Sequence, residues 1–124
     1  MKLSYRIVED VLVIDTYEAF DARDVAEVLN AAMRDSTIEW PLKTLFIHRG
    51  GPFNPTTDEL RGLIEKVAQF RDRMTRFAIV VEEDFHFGLG RMSEALSESL
   101  DYPLRAFRSD DEAREWLHGS LPST

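Results

Sequence analysis

The spacing of apolar residues along this chain predicts strands that alternate with helices. The longest unbroken apolar run covers residues 77–81, and three acidic residues follow it. Such a run suits a strand that is buried on both faces of a sheet. Four other segments have strand character: Leu3–Val8, residues 11–14, Leu42–His48 and Leu104–Phe107. Glu9 and Asp10 separate the first two of these and predict a hairpin turn.

Between these segments, apolar residues recur at the spacing of helices that bury one side. The four stripes are Val25, Val28, Leu29, Ala32 and Met33; Leu60, Leu63, Ile64, Val67 and Ala68; Leu89, Met92, Ala95 and Leu96; and Ala113, Trp116 and Leu117. Asp21, Thr56 and Ser109 stand where N-caps are expected, and a glutamate three residues after each of the last two predicts a capping box. The order of elements predicts an α/β fold. We expect a mixed five-stranded sheet with an antiparallel N-terminal hairpin, its remaining strands parallel, and four main helices.

Length, charge and composition narrow the class of protein. The 124 residues suit one domain, expected over residues 1–119, with a loose tail at residues 120–124. The 15 basic and 23 acidic residues give a net charge of −8, which disfavours nucleic acid as a partner. The chain has no cysteine, so thiolate catalysis and sulfur-ligated metals are excluded. Apolar runs are too short for a signal peptide or a membrane span, and we expect a cytoplasmic protein.

Three segments of the second half resemble the SpoIIAA-like, STAS-type family. They are the strand at residues 77–81, the helix start Gly88-Leu89-Gly90-Arg91-Met92-Ser93-Glu94-Ala95-Leu96, and the ending at residues 104–117. The resemblance implies a small α/β domain with a β-α superhelical core, related in fold to anti-sigma-factor antagonists and to CRAL-TRIO lipid-binding domains. It also implies a protein that is usually not an enzyme.

The same resemblance points to a candidate phosphoacceptor. Antagonists of this type carry a phosphorylated serine at the start of the helix after the third strand, usually in an Asp-Ser-Ser-Gly-like context, and this chain has Asn54-Pro55-Thr56-Thr57-Asp58 there. Thr57 or Thr56 could accept phosphate, which the amides of the helix N-terminus would stabilise. The glycine and the second serine are missing, and Asp58 and Glu59 would repel the added charge. Because Thr56 is the predicted cap, Thr57 is the better candidate.

The carboxyl ends of parallel strands share one edge of a sheet, where open α/β folds bind ligands. The candidate ligand or anion residues at that edge are His48, Arg49, Asn54, Glu82 and Arg91. A histidine near carboxylates could act in acid–base catalysis or bind a metal, but His48, His86 and His118 lie on separate elements without ligand spacing. Gly88 and Gly90 lack the third glycine of a dinucleotide-binding motif. We therefore predict no catalytic residue, no metal site and no cofactor.

Residues 82–88 are predicted to form the loop between the strand at residues 77–81 and the third helix. Phe85 and Phe87 flank His86 and acidic residues precede them, so at least one ring is expected near the surface beside a negative rim. Both rings could seal the end of the sheet, or one could anchor a partner. Phe85, His86 and Phe87 are thus the candidate partner-binding loop, and His86 would make such binding depend on pH.

The inner strands carry apolar residues on both faces, whereas sequential right-handed crossovers tend to place helices on one face. Either a helix crosses to the other face or a second subunit packs there, and we predict a homodimer. No membrane span is expected.

The predicted function is that of a non-enzymatic, STAS-like regulatory or protein-interaction domain with an unidentified protein partner. One open alternative is a small-molecule or lipid-binding module, which needs an apolar cavity for which a chain of this length leaves little volume. The other is an enzyme that uses His48, Arg49 and Glu82 at the strand edge.

Overall fold

A five-stranded sheet organises the protein. The computed structural model describes residues 3–49 and 51–119, except for the side chain of Phe85, and the tail expected at residues 120–124 lies outside them. The strands, in their order across the sheet, are β1 (Leu3–Val8), β2 (Val11–Thr16), β3 (Leu42–His48), β4 (Met74–Val80) and β5 (Leu104–Phe107). β1 pairs with β2 in antiparallel orientation, and all other neighbours pair in parallel. The predicted mixed sheet is confirmed, and β1 lies at one edge of it, whereas β4 lies inside.

Four helices connect and cover the strands. They are α1 (Ala22–Arg34), α2 (Thr57–Gln69), α3 (Asp84–Glu98) and α4 (Asp110–Leu117). Asp21 and Thr56 each accept a hydrogen bond from the amide three residues on and complete a capping box with the acidic side chain there. Ser109 accepts from the amide of Glu112. These three predicted N-caps are confirmed, so local sequence sets where these helices begin. Within the described residues, no helix is long and apolar enough to cross a membrane.

The predicted loop at residues 82–88 is wrong, because α3 already begins at Asp84. The amide of Phe87 donates to the carbonyl of Glu83 at 2.8 Å and closes the first turn. Glu83 makes no side-chain cap, so the local sequence carries no start signal, and Gly88 and Gly90 suggest a loop although they lie inside the helix. Gly90 is needed for packing, since an added Cβ would lie 2.8 Å from the Cβ of Ala106 in β5.

The buried side of α3 also differs from the predicted stripe. Met92 is 41% exposed, whereas Ser93 and Ser97 are buried. Their hydroxyls donate to the carbonyls of Leu89 at 2.9 Å and Glu94 at 2.8 Å, which satisfies both groups within the helix. Small residues on this side let α3 approach β5 closely, so the apolar spacing alone pointed to the wrong side.

The two faces of the sheet are covered by different helices. The three-helix face carries Leu12, Ile14, Phe46 and Phe77, and α1, α2 and α3 pack on it. The α4 face carries Val13, Leu45, Ile47 and Val80, and α4 packs on it through Trp116 and Leu117. A helix of the same chain therefore covers the face for which a second subunit was considered. The homodimer stays a prediction, but the need to cover this face no longer supports it.

Candidate functional site

The three-helix face encloses an apolar cavity of about 80 Å³ that is partly open to solvent. Side chains from α1, α2 and α3 form its roof, and side chains of the inner strands form its floor. Of the described residues that line it, only His48, His86 and Ser93 have polar side chains. The cavity is small, as expected for a chain of this length. Aromatic and branched side chains on this face do not fill the space under three helices.

The two histidines reach the cavity mouth because two parallel strands end side by side. His48 is the last residue of β3, and its neighbour Ile47 is in register with Val80 at the end of β4. Only three residues separate β4 from α3, so His86 lies in the first turn of that helix. Their ring centroids are 4.3 Å apart. The shared carboxyl edge of the sheet thus joins residues that are far apart in sequence.

A loop between β3 and α2 forms one wall of the mouth. Gly51 has φ +83° and packs against the backbone of Glu18, where an added Cβ would lie 2.3 Å from the carbonyl carbon. This close approach requires glycine. It places Phe53 in a stacked contact with Phe20, with ring centroids 4.5 Å apart. Phe20 also meets the ring of His48 edge-on at 5.5 Å.

Hydrogen bonds hold both histidine rings in place. Nε2 of His48 lies 2.8 Å from the carbonyl oxygen of Gly51. Nδ1 of His86 lies 3.1 Å from Oε2 of Glu83, and its Nε2 accepts from the amide of Phe53 at 3.4 Å. Burial lowers the pKa of His48 below its usual 6.5, and the His86 ring lowers it further, while the Gly51 carbonyl and the Glu83 carboxylate act in the opposite direction.

Arg49, predicted to lie with His48, points to the other face of the sheet. Its Nε lies 2.6 Å from Oδ1 of Asp15, whose side chain is 2% exposed, and Arg6 approaches the same carboxylate at 3.6 Å. Consecutive residues at a strand end face opposite ways, which separates Arg49 from the cavity. The hydrogen bond to Asp15 raises the pKa of Arg49. This arginine neutralises a buried carboxylate, a role that the sequence analysis missed.

The other edge residues are not gathered at the cavity. Asn54 and Glu82 are exposed, and the backbone carbonyl of Glu82 accepts from Arg108 at 3.1 Å. Arg91 is exposed on α3 and lies 3.5 Å from Glu94. Among the five predicted edge residues, His48 alone lines the cavity.

The candidate phosphoacceptors lie at the start of α2. Thr56 accepts from the amide of Glu59 at 3.0 Å as the cap. Thr57 is the first residue of the helix and is exposed, and its hydroxyl makes no hydrogen bond with the described part of the chain. Thr57 is thus the more accessible hydroxyl, and its phosphorylation stays a prediction.

The predicted partner-binding residues have different surroundings. The side chain of Phe85 lies outside the described part of the structure. His86 is 9% exposed and lines the cavity. Phe87 is half-buried, with the guanidinium carbon of Arg108 4.2 Å from its ring centroid. Partner binding by this segment stays a prediction, although His86 now belongs to an interior site.

Phe20 and Phe53, which lie at the mouth with the two histidines, were not predicted as site residues. A signal for Phe53 was present, because an aromatic residue between prolines in a glycine-containing turn needs something to pack on. The contact of Phe20 with Phe53 spans 33 residues, so the local sequence carried no signal for it.

No protein-family model matches the chain, and no curated protein sequence matches it. Among solved structures, the chain is similar to the crystal structure of an uncharacterized protein from the DUF3478 family of Shewanella loihica PV-4, which is described as having a SpoIIAA-like fold. The similarity has a TM-score of 0.53 and covers 93% of this chain and 91% of that chain. The fold is SpoIIAA-like. At 14% sequence identity, the likeness extends to the fold alone.

Proposed function

We propose that this SpoIIAA-like domain binds a small apolar molecule, or the apolar end of a larger one, in the cavity of the three-helix face. The observation that carries the proposal is a partly open cavity with almost entirely apolar walls. Burial of a hydrocarbon there removes apolar area from water, and the cavity walls present few polar groups to it.

The size of the cavity limits what can enter it. An apolar cavity of roughly 150 Å³ holds a benzene molecule. The cavity here has about half that volume, so it suits a chain of a few carbon atoms, and a longer molecule would extend out of the cavity past the stacked rings of Phe20 and Phe53. These two rings offer flat apolar surface to the part of a ligand that leaves the cavity.

The enzyme alternative is less well supported. It relied on His48, Arg49 and Glu82 acting together, but Arg49 binds Asp15 on the α4 face and Glu82 is exposed. His48 and His86 both engage backbone or carboxylate groups of the protein itself. The shape of the cavity and the apolar area of its walls favour ligand binding over a reaction at this site.

A regulatory, protein-interaction role is the second candidate, and the exposed hydroxyl of Thr57 favours it. Thr57 begins α2, and Leu60 one turn later lines the cavity, so added charge at Thr57 would act on a helix that forms the cavity wall. If a cognate kinase acts here, Thr57→Ala should abolish the phosphate and Thr56→Ala should keep it. Mass spectrometry that maps phosphate elsewhere would reject this candidate.

The test of ligand binding is an NMR titration of the full chain with 1-chlorobutane. We expect saturable shifts of the Leu63 and Val81 methyl groups, with a dissociation constant on the order of 1 mM, as for a ligand with few heavy atoms. Val81→Leu adds a methylene that occupies the cavity and should weaken binding by about fourfold.

The matched control is Val80→Leu, the same change one residue earlier, on the α4 face. It should leave the affinity for 1-chlorobutane unchanged. Shifts that do not saturate, or that respond equally to both variants, would reject a binding site in this cavity.

A further inference from the structure

Resting on the ligand cavity proposed above, we infer that its ligand carries an uncharged hydrogen-bond donor, such as an alcohol hydroxyl, which Nδ1 of His48 accepts at the mouth. The ligand class is therefore a short aliphatic chain with a terminal hydroxyl, or a larger molecule that ends in one.

The hydrogen bonds of the two rings decide which nitrogen atoms carry protons. Nε2 of His86 accepts from the amide of Phe53, so the proton of the neutral ring lies on Nδ1, which donates to Glu83. Nε2 of His48 faces the carbonyl oxygen of Gly51, which can only accept, so this nitrogen carries the proton. Nδ1 of His48 is then an acceptor, and it makes no hydrogen bond with the described residues.

Ser93, the third polar side chain at the cavity, also offers a hydrogen-bond acceptor and no donor. It is 3% exposed, and its hydroxyl donates to the carbonyl of Leu89 at 2.9 Å. Its proton is thereby used within the helix, and only its lone pairs remain. The polar side chains among the described lining residues thus have acceptors to offer and no spare donor, and a ligand complements them by bringing a donor.

Charges around the mouth argue against an anionic ligand. None of the described residues that line the cavity is a lysine or an arginine. Glu82, Glu83 and Asp84 follow β4 and are exposed, and only Asp84 among these described residues pairs with an arginine, Arg108 at 2.9 Å, so acidic groups outnumber basic ones in this segment. A carboxylate would be buried without a partner and repelled by this segment, and an ammonium group would be buried in apolar walls while Glu83 is engaged by His86.

The test compares two isomers, 1-butanol and methyl propyl ether, in NMR titrations of the full chain. They contain the same atoms, but only the alcohol donates a hydrogen bond. We expect the wild-type protein to bind 1-butanol about three- to tenfold more tightly, as for one neutral hydrogen bond. His48→Phe keeps a ring and removes the acceptor, so the alcohol and the ether should bind this variant equally.

His118→Phe is the matched control, because His118 lies at the end of α4, away from the cavity. It should keep the preference for the alcohol. If His48→Phe does not fold, the ¹⁵N resonance of Nδ1 in wild-type His48 gives the answer, since it should shift as 1-butanol saturates the protein.

Equal affinity of the wild-type protein for the two isomers, or an unmoved Nδ1 resonance at saturation, would overturn the inference and leave the apolar binding site intact. Tighter binding of butyrate or butylammonium than of 1-butanol would overturn it as well. If 1-chlorobutane also fails to bind, the proposed function itself is wrong. The two failures are therefore distinguishable.

Discussion

The two faces of the sheet bury similar apolar strands but are packed differently. On the α4 face, Trp116 is 2% exposed, and its ring packs against that of Phe107 with centroids 5.8 Å apart. A helix of eight residues covers this face because one large side chain fills the space. On the three-helix face, helices of 13 to 15 residues leave a cavity of about 80 Å³. Helices can thus cover a face of the sheet without filling all the space between helix and sheet. The three-helix face keeps such a space, and a ligand fits there.

Truncation of Trp116 should have the largest effect on stability. Trp116→Ala removes the side chain that fills the α4 face, and we expect the free energy of unfolding to fall by about 3–5 kcal/mol. Chemical denaturation, followed by circular dichroism, measures the loss. Fluorescence is less suitable because the substitution removes one of the two tryptophans.

Phe53→Ala is the comparison on the three-helix face. Phe53 is half-buried at the mouth, so its truncation should cost less than that of Trp116 and should weaken binding of 1-chlorobutane. An equal loss of stability from both variants would mean that the two faces are packed alike.

The substitution pair at the end of β4 should give the next largest effect. Val80→Leu inserts a methylene into the filled α4 face and should cost about 1–3 kcal/mol. Val81→Leu places the same methylene in the cavity, so the free energy of unfolding should stay unchanged or rise by up to about 0.8 kcal/mol. Thermal melts of the two variants, run side by side, give the comparison. A larger loss from Val81→Leu would show that the cavity cannot accept a methyl group.

The sequence predicted what local interactions determine. Side-chain caps at Asp21, Thr56 and Ser109 fix three helix starts, and the alternation of strands with helices predicts which strands run parallel. α3 has no side-chain cap, and its buried side uses glycine and serine, so neither its start nor its orientation follows from apolar spacing. Where the local signal is absent, packing against β5 decides.

The candidate site could be predicted only in part, because it depends on contacts between distant segments. The strand-edge rule predicted a position for His48 near the residues after β4, and His86 does lie there. The same rule failed for Arg49, whose direction depends on where β3 ends and on the buried Asp15 of β2. The cavity itself depends on how side chains fill the space under three helices, which spacing along a chain does not specify.

Two glycines of α3 offer a finer test of how tightly this helix packs against β5. Gly88 is exposed and an added Cβ would meet nothing within 4 Å, so Gly88→Ala should raise the free energy of unfolding by about 0.5–1 kcal/mol through helix propensity. At Gly90 the added Cβ would lie 2.8 Å from the Cβ of Ala106, and Gly90→Ala should lower the free energy despite the same gain in propensity, by up to about 2 kcal/mol. Urea denaturation of both variants measures the difference. Stabilisation by both would mean that α3 moves away from β5 without cost.

The smallest expected effect is the pH dependence that His48 gives to the three-helix face. Its folded-state pKa lies below 6.5 because burial disfavours the charged ring, and the adjacent His86 acts in the same direction. The carbonyl of Gly51 and the carboxylate of Glu83 face the ring and limit the shift. As the pH falls through 6.5, the unfolded chain takes up a proton at His48 before the folded protein does, so the free energy of unfolding decreases. The stabilisation is complete above pH 6.5 and is lost progressively down to the folded-state pKa.

His48→Gln removes this titration and should abolish the decrease in the free energy of unfolding below pH 6.5. The denaturation midpoint, measured at a series of pH values from 8 to 5, gives the comparison. The control is His118→Gln, since His118 is an exposed residue at the end of α4. This variant should show the same decrease in the free energy of unfolding as the wild-type protein. A decrease of equal size in His48→Gln would assign the pH dependence to other groups, and would mean that His48 is as well solvated in the folded protein as in the unfolded chain. An apolar cavity bordered by this ring predicts the opposite, because partial burial beside apolar side chains disfavours the charged ring.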